Sequence, residues 1–219
     1  MPNLVDLAIN QGVPVETVVY VLMYPVILTI IAFARQVIGI KAFGIYTPSV
    51  IAVAFLATTL KYGIAIFTVV ILAALGMRYL LRNFQLLYMS RTAIMLSVTA
   101  ISVLIFLVVG GVFNRTGLAS VSIFPILIMI TIVEKFVVAQ IEKGFRAAFF
   151  LALETILLAV ICYFVVKWEA FQVLVLNYPI TVLFIVLLNV FIGRWQGLRL
   201  YEYLRFRDVI KNVELPRKK

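Results

Sequence analysis

The chain has 219 residues, 65% of them hydrophobic and only 13% charged, with a mean hydropathy of +1.17 and a net charge of +10. Soluble domains are about 45–50% apolar and about 25% charged, so this composition excludes an ordinary water-soluble domain and a disordered chain. Histidine is absent, cysteine occurs once (Cys162) and aspartate only at Asp6 and Asp208, which excludes Ser–His and Cys–His catalytic pairs, an imidazole metal site, an intrachain disulfide and a paired intramembrane aspartate site.

Seven apolar runs follow one another, at roughly residues 15–34, 45–60, 63–81, 92–113, 118–133, 147–166 and 172–192. Each approaches the ~20 residues a helix needs to cross ~30 Å of hydrocarbon. Backbone groups in lipid must be satisfied internally, and no period-two alternation marks barrel strands. The expected fold class is therefore all-α: a polytopic membrane bundle of seven transmembrane helices over residues 15–193. Residues 1–14 form a short extracytoplasmic segment and 194–219 a basic, aromatic cytoplasmic tail. The first run is not a secretory signal, because no Lys or Arg precedes it.

Between the first two runs, Gly39, Gly44 and Pro48 allow a tight loop, and Lys41 places an ammonium at the interface. The second run is short, which leaves both a full crossing and a re-entrant segment open. Arg78 sits one turn inside Arg82 at the end of the third run, where it can snorkel to the interface or reach a carboxylate. Arg91 opens the fourth. Pro125 lies early in the fifth.

Residues 134–146 are the most charged internal segment. At helical spacing Lys135, Ala139, Glu142 and Arg146 share a face, with Glu142 and Arg146 as an i,i+4 pair. Phe136, Val137 and Ile141 are then free to lie on the membrane. This pattern predicts an interfacial helix between the fifth and sixth spans, followed by a turn at Gly144. The alternative is a connector whose charges snorkel. Glu134, at the end of the fifth run, is the residue of this segment best placed for a specific role.

Glu154 falls two turns into the sixth run, counted from Arg146. An ionisable group there costs several kcal/mol unless paired, protonated or hydrated. It either lines a polar path or is hydrogen-bonded to a neighbouring helix, through a residue such as Ser97, Thr99, Ser102 or Asn189. The tail from Gly193 mixes arginine and aromatics, at Arg194, Arg199, Arg205 and Arg207 among others. It reads as an aromatic belt with anionic-lipid contacts or as a docking helix.

Of nineteen Lys and Arg residues, sixteen follow the odd-numbered runs and three (Lys61, Arg115, Lys167) follow the even-numbered ones. Positive residues concentrate in cytoplasmic loops, so the split predicts an external N-terminus and an internal C-terminus. The internal face becomes a basic plate, suited to anionic lipid or to an acidic partner or polymer. No nucleic-acid motif accompanies the charge, so nucleic acid is not an expected partner. No glycine-rich phosphate loop is present, and no cofactor or metal is expected.

The segments Gly39-Ile-Lys-Ala-Phe-Gly with Pro48 and Ala54-Phe55, Phe124-Pro125 with Glu134 and Glu142-Lys-Gly, and Gly193-Arg-Trp-Gln-Gly-Leu-Arg-Leu with Leu204-Arg-Phe-Arg carry a resemblance. Over about residues 39–207 the chain resembles the seven-transmembrane domain usually fused to an inactive transglutaminase in bacteria. More distantly, the proline-to-glutamate-to-glycine region is similar to the CapC-type membrane subunit of poly-γ-glutamate synthase. The resemblance implies a bacterial cytoplasmic membrane protein, not itself an enzyme. It would work with an ATP-grasp glutamate ligase-like partner and an anionic glutamate polymer. It points to Lys41, Pro48, Pro125, Glu134, Glu142, Gly144, Gly193, Arg194, Arg205 and Arg207. Arg82, Arg91, Lys135, Arg146 and Arg199 join these as partner or polyanion contacts on the basic face. Only about 14 residues precede the first run, so the family's transglutaminase-like domain is expected to be missing, encoded separately or removed. The alternative function is a stand-alone solute or ion transporter built on Glu154, although no internal repeat is evident. A homo-oligomer is compatible with either.

Overall fold

A computed structural model describes residues 7, 9–81, 87–112, 122–178 and 180–194, which fold into helices with no strand among them. In chain order these are α1 (Val15–Phe33), continued by a π-helical turn (Ala34–Ile38), α2 (Tyr46–Thr58), α3 (Leu60–Leu81), α4 (Tyr88–Val112), α5 (Ile123–Lys143), α6 (Phe145–Lys167), α7 (Glu169–Asn177) and α8 (Ile180–Gly193). Five of the segments, α1 with its π turn and α3 to α6, are long and apolar enough to cross a membrane. The pair α7–α8 meets the same test jointly, and α2 is a shorter apolar helix. These correspond to the seven apolar runs.

Two compact units divide the chain, residues 42–167 and residues 1–41 with 168–219. In the first unit α2 is central, packed against α3, α5 and α6, while α4 lies against α3 and α5. Ile51, Ala52 and Phe55 of α2 are fully buried, together with Ile66 and Val70 of α3 and Val133 of α5. The inward stripe of α6 runs through Ala148, Ala152, Thr155, Ala159 and Cys162. Small residues let helix backbones approach in lipid, where hydrophobicity cannot drive association. The α2–α3 contact is close at Gly63. A side chain at Gly63 would collide with the Phe55 ring and lie 2.9 Å from the Thr58 hydroxyl. The break between the two helices falls at Thr59, whose φ is +68.

Two expectations are corrected here. Residues 134–146 do not form a separate interfacial helix, because α5 runs unbroken to Lys143. Gly144, at φ +83, ends it there, and its N–H donates to the Gln140 carbonyl at 3.1 Å. Arg146 therefore belongs to α6, so Glu142 and Arg146 do not share a helix face. Phe136 and Val137 are buried in the bundle rather than laid on lipid, and only Ile141 is exposed. The physical reason is that α5 keeps its inward face through Phe136, Val137 and Gln140. The seventh run, in turn, is two helices, α7 and α8, bent by 104°.

In the second unit, α1 and its π turn pack against α7 and α8. Gly39 closes the π turn in the left-handed region, φ +98, with its N–H bonded to the Ala34 carbonyl. Asn189 of α8 donates to the Thr29 hydroxyl of α1 at 2.7 Å.

Candidate functional site

The most informative polar arrangement surrounds the start of α2. The backbone N–H of Ala42 donates to Glu154 Oε2 at 3.0 Å, and the N–H of Phe43 donates to Thr155 Oγ1 at 3.0 Å. The Thr155 hydroxyl in turn donates to the Leu151 carbonyl at 2.6 Å. The Phe43 ring meets Phe136 of α5 edge-on, with centroids 6.4 Å apart. Two adjacent residues of α6 thus satisfy two adjacent backbone donors that no helix serves. This is the requirement for non-helical backbone inside a membrane bundle. Ala42 holds a positive φ of +31 in the same turn.

This latch explains the short second span. Glu154 is nine residues from the Phe145 end of α6, about 13 Å by helical rise. Three crossings, α3, α4 and α5, separate α2 from α6, so the two run the same way. The Ala42–Phe43 turn that leads into α2 therefore lies about 13 Å along the bundle, and the 13 residues of α2 add about 20 Å, enough together for ~30 Å of hydrocarbon.

Glu154 is half-buried and accepts from loop backbone at Ala42, and the side chains expected beside it are engaged elsewhere or exposed. Ser97 is exposed, while Thr99 and Ser102 donate to carbonyls of their own helix, those of Met95 and Val98. Asn189 bonds Thr29 in the other unit.

Around the latch lie further polar residues. Thr47 and Ser49, in the first turn of α2, are buried, and the Ser49 hydroxyl donates to the Tyr46 carbonyl. Gln140 lies one turn beyond Phe136 on α5. It is 1% exposed, and both atoms of its amide lack a hydrogen-bond partner among the described residues. Sequence reasoning missed it. An uncharged glutamine within a charged segment resembles a solvated face, and only the burial of Phe136 four residues earlier marks the inward side. Glu134 and Lys135 are exposed, about two turns from the end of α5.

Apart from Lys135, the described cations of residues 42–167 separate by helix end. Arg78 near the end of α3, Arg91 near the start of α4, Lys143 at the end of α5 and Arg146 at the start of α6 mark one set of ends. Lys61 and Lys167 mark the opposite set. Arg78 and Arg91 each bury one guanidinium nitrogen (Nη1 and Nε) that has no partner among the described residues. Such donors suit an anion or a phosphate oxygen. Glu142 and Arg146 are exposed beside the Gly144 turn.

Lys41 is exposed and belongs to the other unit. Gly44 lies in the turn before α2, and Pro48 is the buried third residue of that helix. Pro125 holds the equivalent place in α5 and is buried too. A ring lacking N–H costs little at these first-turn positions. Gly193 ends α8, and its carbonyl faces the Gln36 amide at 3.5 Å. Arg194 follows it and is exposed. Arg82, Arg199, Arg205 and Arg207 lie outside the described residues. No group of three metal-ligating side chains occurs among those described.

A family model described as 7 transmembrane helices usually fused to an inactive transglutaminase matches residues 2–210. No curated protein and no solved structure matches the chain.

Proposed function

The chain belongs to the family of seven transmembrane helices usually fused to an inactive transglutaminase, and from that premise we propose that it is a non-catalytic membrane subunit of a bacterial glutamate-ligase system. It is a multi-pass membrane protein by family and by its apolar helices. In the proposed arrangement it sits in the cytoplasmic membrane with its basic helix ends inside. There it docks an ATP-grasp glutamate ligase-like protein and guides an anionic glutamate product.

The observation that carries this reading is the segregation of charge. Arg78, Arg91, Lys143 and Arg146 gather at one set of helix ends, and the sequence places eight more cations after residue 193. Each basic residue near an anionic surface contributes about 1 kcal/mol of attraction, and arginine's planar fork suits carboxylates. Glu154, occupied by the Ala42 N–H, supports a structural latch better than a solute path.

Co-expression with an ATP-grasp ligase-like protein of the same genome tests the reading. The ligase is expected to co-purify, and reversing charge with Arg205→Glu and Arg207→Glu is expected to abolish that. Co-purification unchanged by the reversal removes the tail as the dock.

A further inference from the structure

We propose that the apolar groove between α1 and α8 is a phospholipid site, with an acyl chain in the groove and the phosphate held at its end by Arg194 and Gln36. The groove has a volume of about 600 Å³, within the ~300–1,000 Å³ of small-molecule sites. Phe33 and Val37, from α1 and its π turn, face Phe184, Leu187, Leu188 and Phe191 of α8 across it. Every lining residue is apolar, so the walls offer no side-chain donor or acceptor and take hydrocarbon alone.

One end of the groove is different. Leu187, Phe191 and Arg194 follow one another at i, i+4 and i+7, which places them along a single helix face. The register continues past the end of α8, because the Arg194 N–H still bonds the Val190 and Phe191 carbonyls at 3.2 Å. Arg194 is exposed there. The Gln36 amide reaches the same end, 3.5 Å from the carbonyl of Gly193. A hydrocarbon slot that finishes in a guanidinium and a carboxamide matches one molecule of the surrounding bilayer, with its chain apolar and its phosphate anionic. A bare apolar helix would fill the slot but offer the Arg194 guanidinium no anion. Arg35 supplies an internal control. It lies between Phe33 and Val37 in sequence, yet about half a turn away from both and so off the groove face.

The test uses the purified full chain, equilibrated with equal phosphatidylglycerol and phosphatidylcholine and examined by native mass spectrometry. One bound phospholipid is expected, with phosphatidylglycerol favoured. Arg194→Ala is expected to weaken its retention about tenfold, and Arg194→Lys to weaken it less, since the charge remains without the fork. Arg35→Ala leaves retention unchanged. Leu187→Trp, at an exposed position that the fold tolerates, narrows the groove and displaces the lipid. Equal retention of both lipids overturns the proposal, and so does a bound lipid indifferent to Arg194→Ala and Leu187→Trp. A lipid-free dimer that Leu187→Trp splits into monomers also overturns it, because it identifies a second copy as the occupant.

Discussion

Helices α2 and α8 have nearly the same length, 13 and 14 residues, and both are strongly apolar, yet they are used in opposite ways. Eight residues of α2 are buried, among them Thr47, Ser49, Ala52, Ala54 and Thr58. In α8 only Ile192 is buried, while Phe184 and Phe191 are 70% and 78% exposed. Hydrophobicity does not separate an inner helix from an outer one when the solvent is itself hydrocarbon. Side-chain size and polarity do, because small and hydroxyl-bearing residues permit close backbone contact. The more hydrophobic of the two helices is the more exposed one.

Substitutions that enlarge or unpair the α2 neighbourhood should therefore cost far more than truncations on α8. The largest loss is expected for Gly63→Leu, which drives a branched side chain into Phe55 and Thr58. It should cost about 3 kcal/mol, at the upper end for overpacking, read as a lowered midpoint of thermal unfolding in detergent. Next comes Glu154→Ala, which strips the acceptor from the Ala42 N–H and should cost about 2 kcal/mol. Glu154→Gln keeps an acceptor and should recover most of that loss, and hydrogen exchange at Ala42 should quicken only in the alanine variant. A gain is expected from Gln140→Leu. Replacing a buried amide that has no partner among the described residues by a side chain of similar volume should raise stability by about 1 kcal/mol. A loss there would show that the amide holds a water or ligand. Phe184→Leu on α8 should move the midpoint by less than the equivalent of about 0.5 kcal/mol, and a shift as large as that at Gly63 would erase the contrast between the helices.

The spans were legible in the sequence because long apolar runs carry their own signal, and the ends of α3, α4 and α6 fall within a few residues of the runs. The short second run was legible as an anomaly, but its cause was not. The partners of Glu154 and Thr155 are backbone N–H groups of Ala42 and Phe43, and a backbone donor leaves no mark on residue identity. Charge density and helical spacing together suggested a separate helix at residues 134–146. Periodicity could not tell a helix lying on the membrane from the last turns of α5, because both offer an apolar face at the same spacing. Gln140 escaped notice for a related reason, since its burial is a property of α5 packing on α2, α3, α4 and α6. The bend between α7 and α8 interrupts a run whose hydropathy stays high on either side.

The account rests on the basic helix ends lying inside the cell, and labelling with a membrane-impermeant thiol reagent in intact cells tests this directly. On a Cys162→Ala background, a cysteine placed by Lys61→Cys should react from outside, and one placed by Arg146→Cys should react only after the cells are opened. Labelling of Arg146→Cys in intact cells, with Lys61→Cys protected, would put the cationic ends outside and contradict the proposed dock for a ligase and its anionic product.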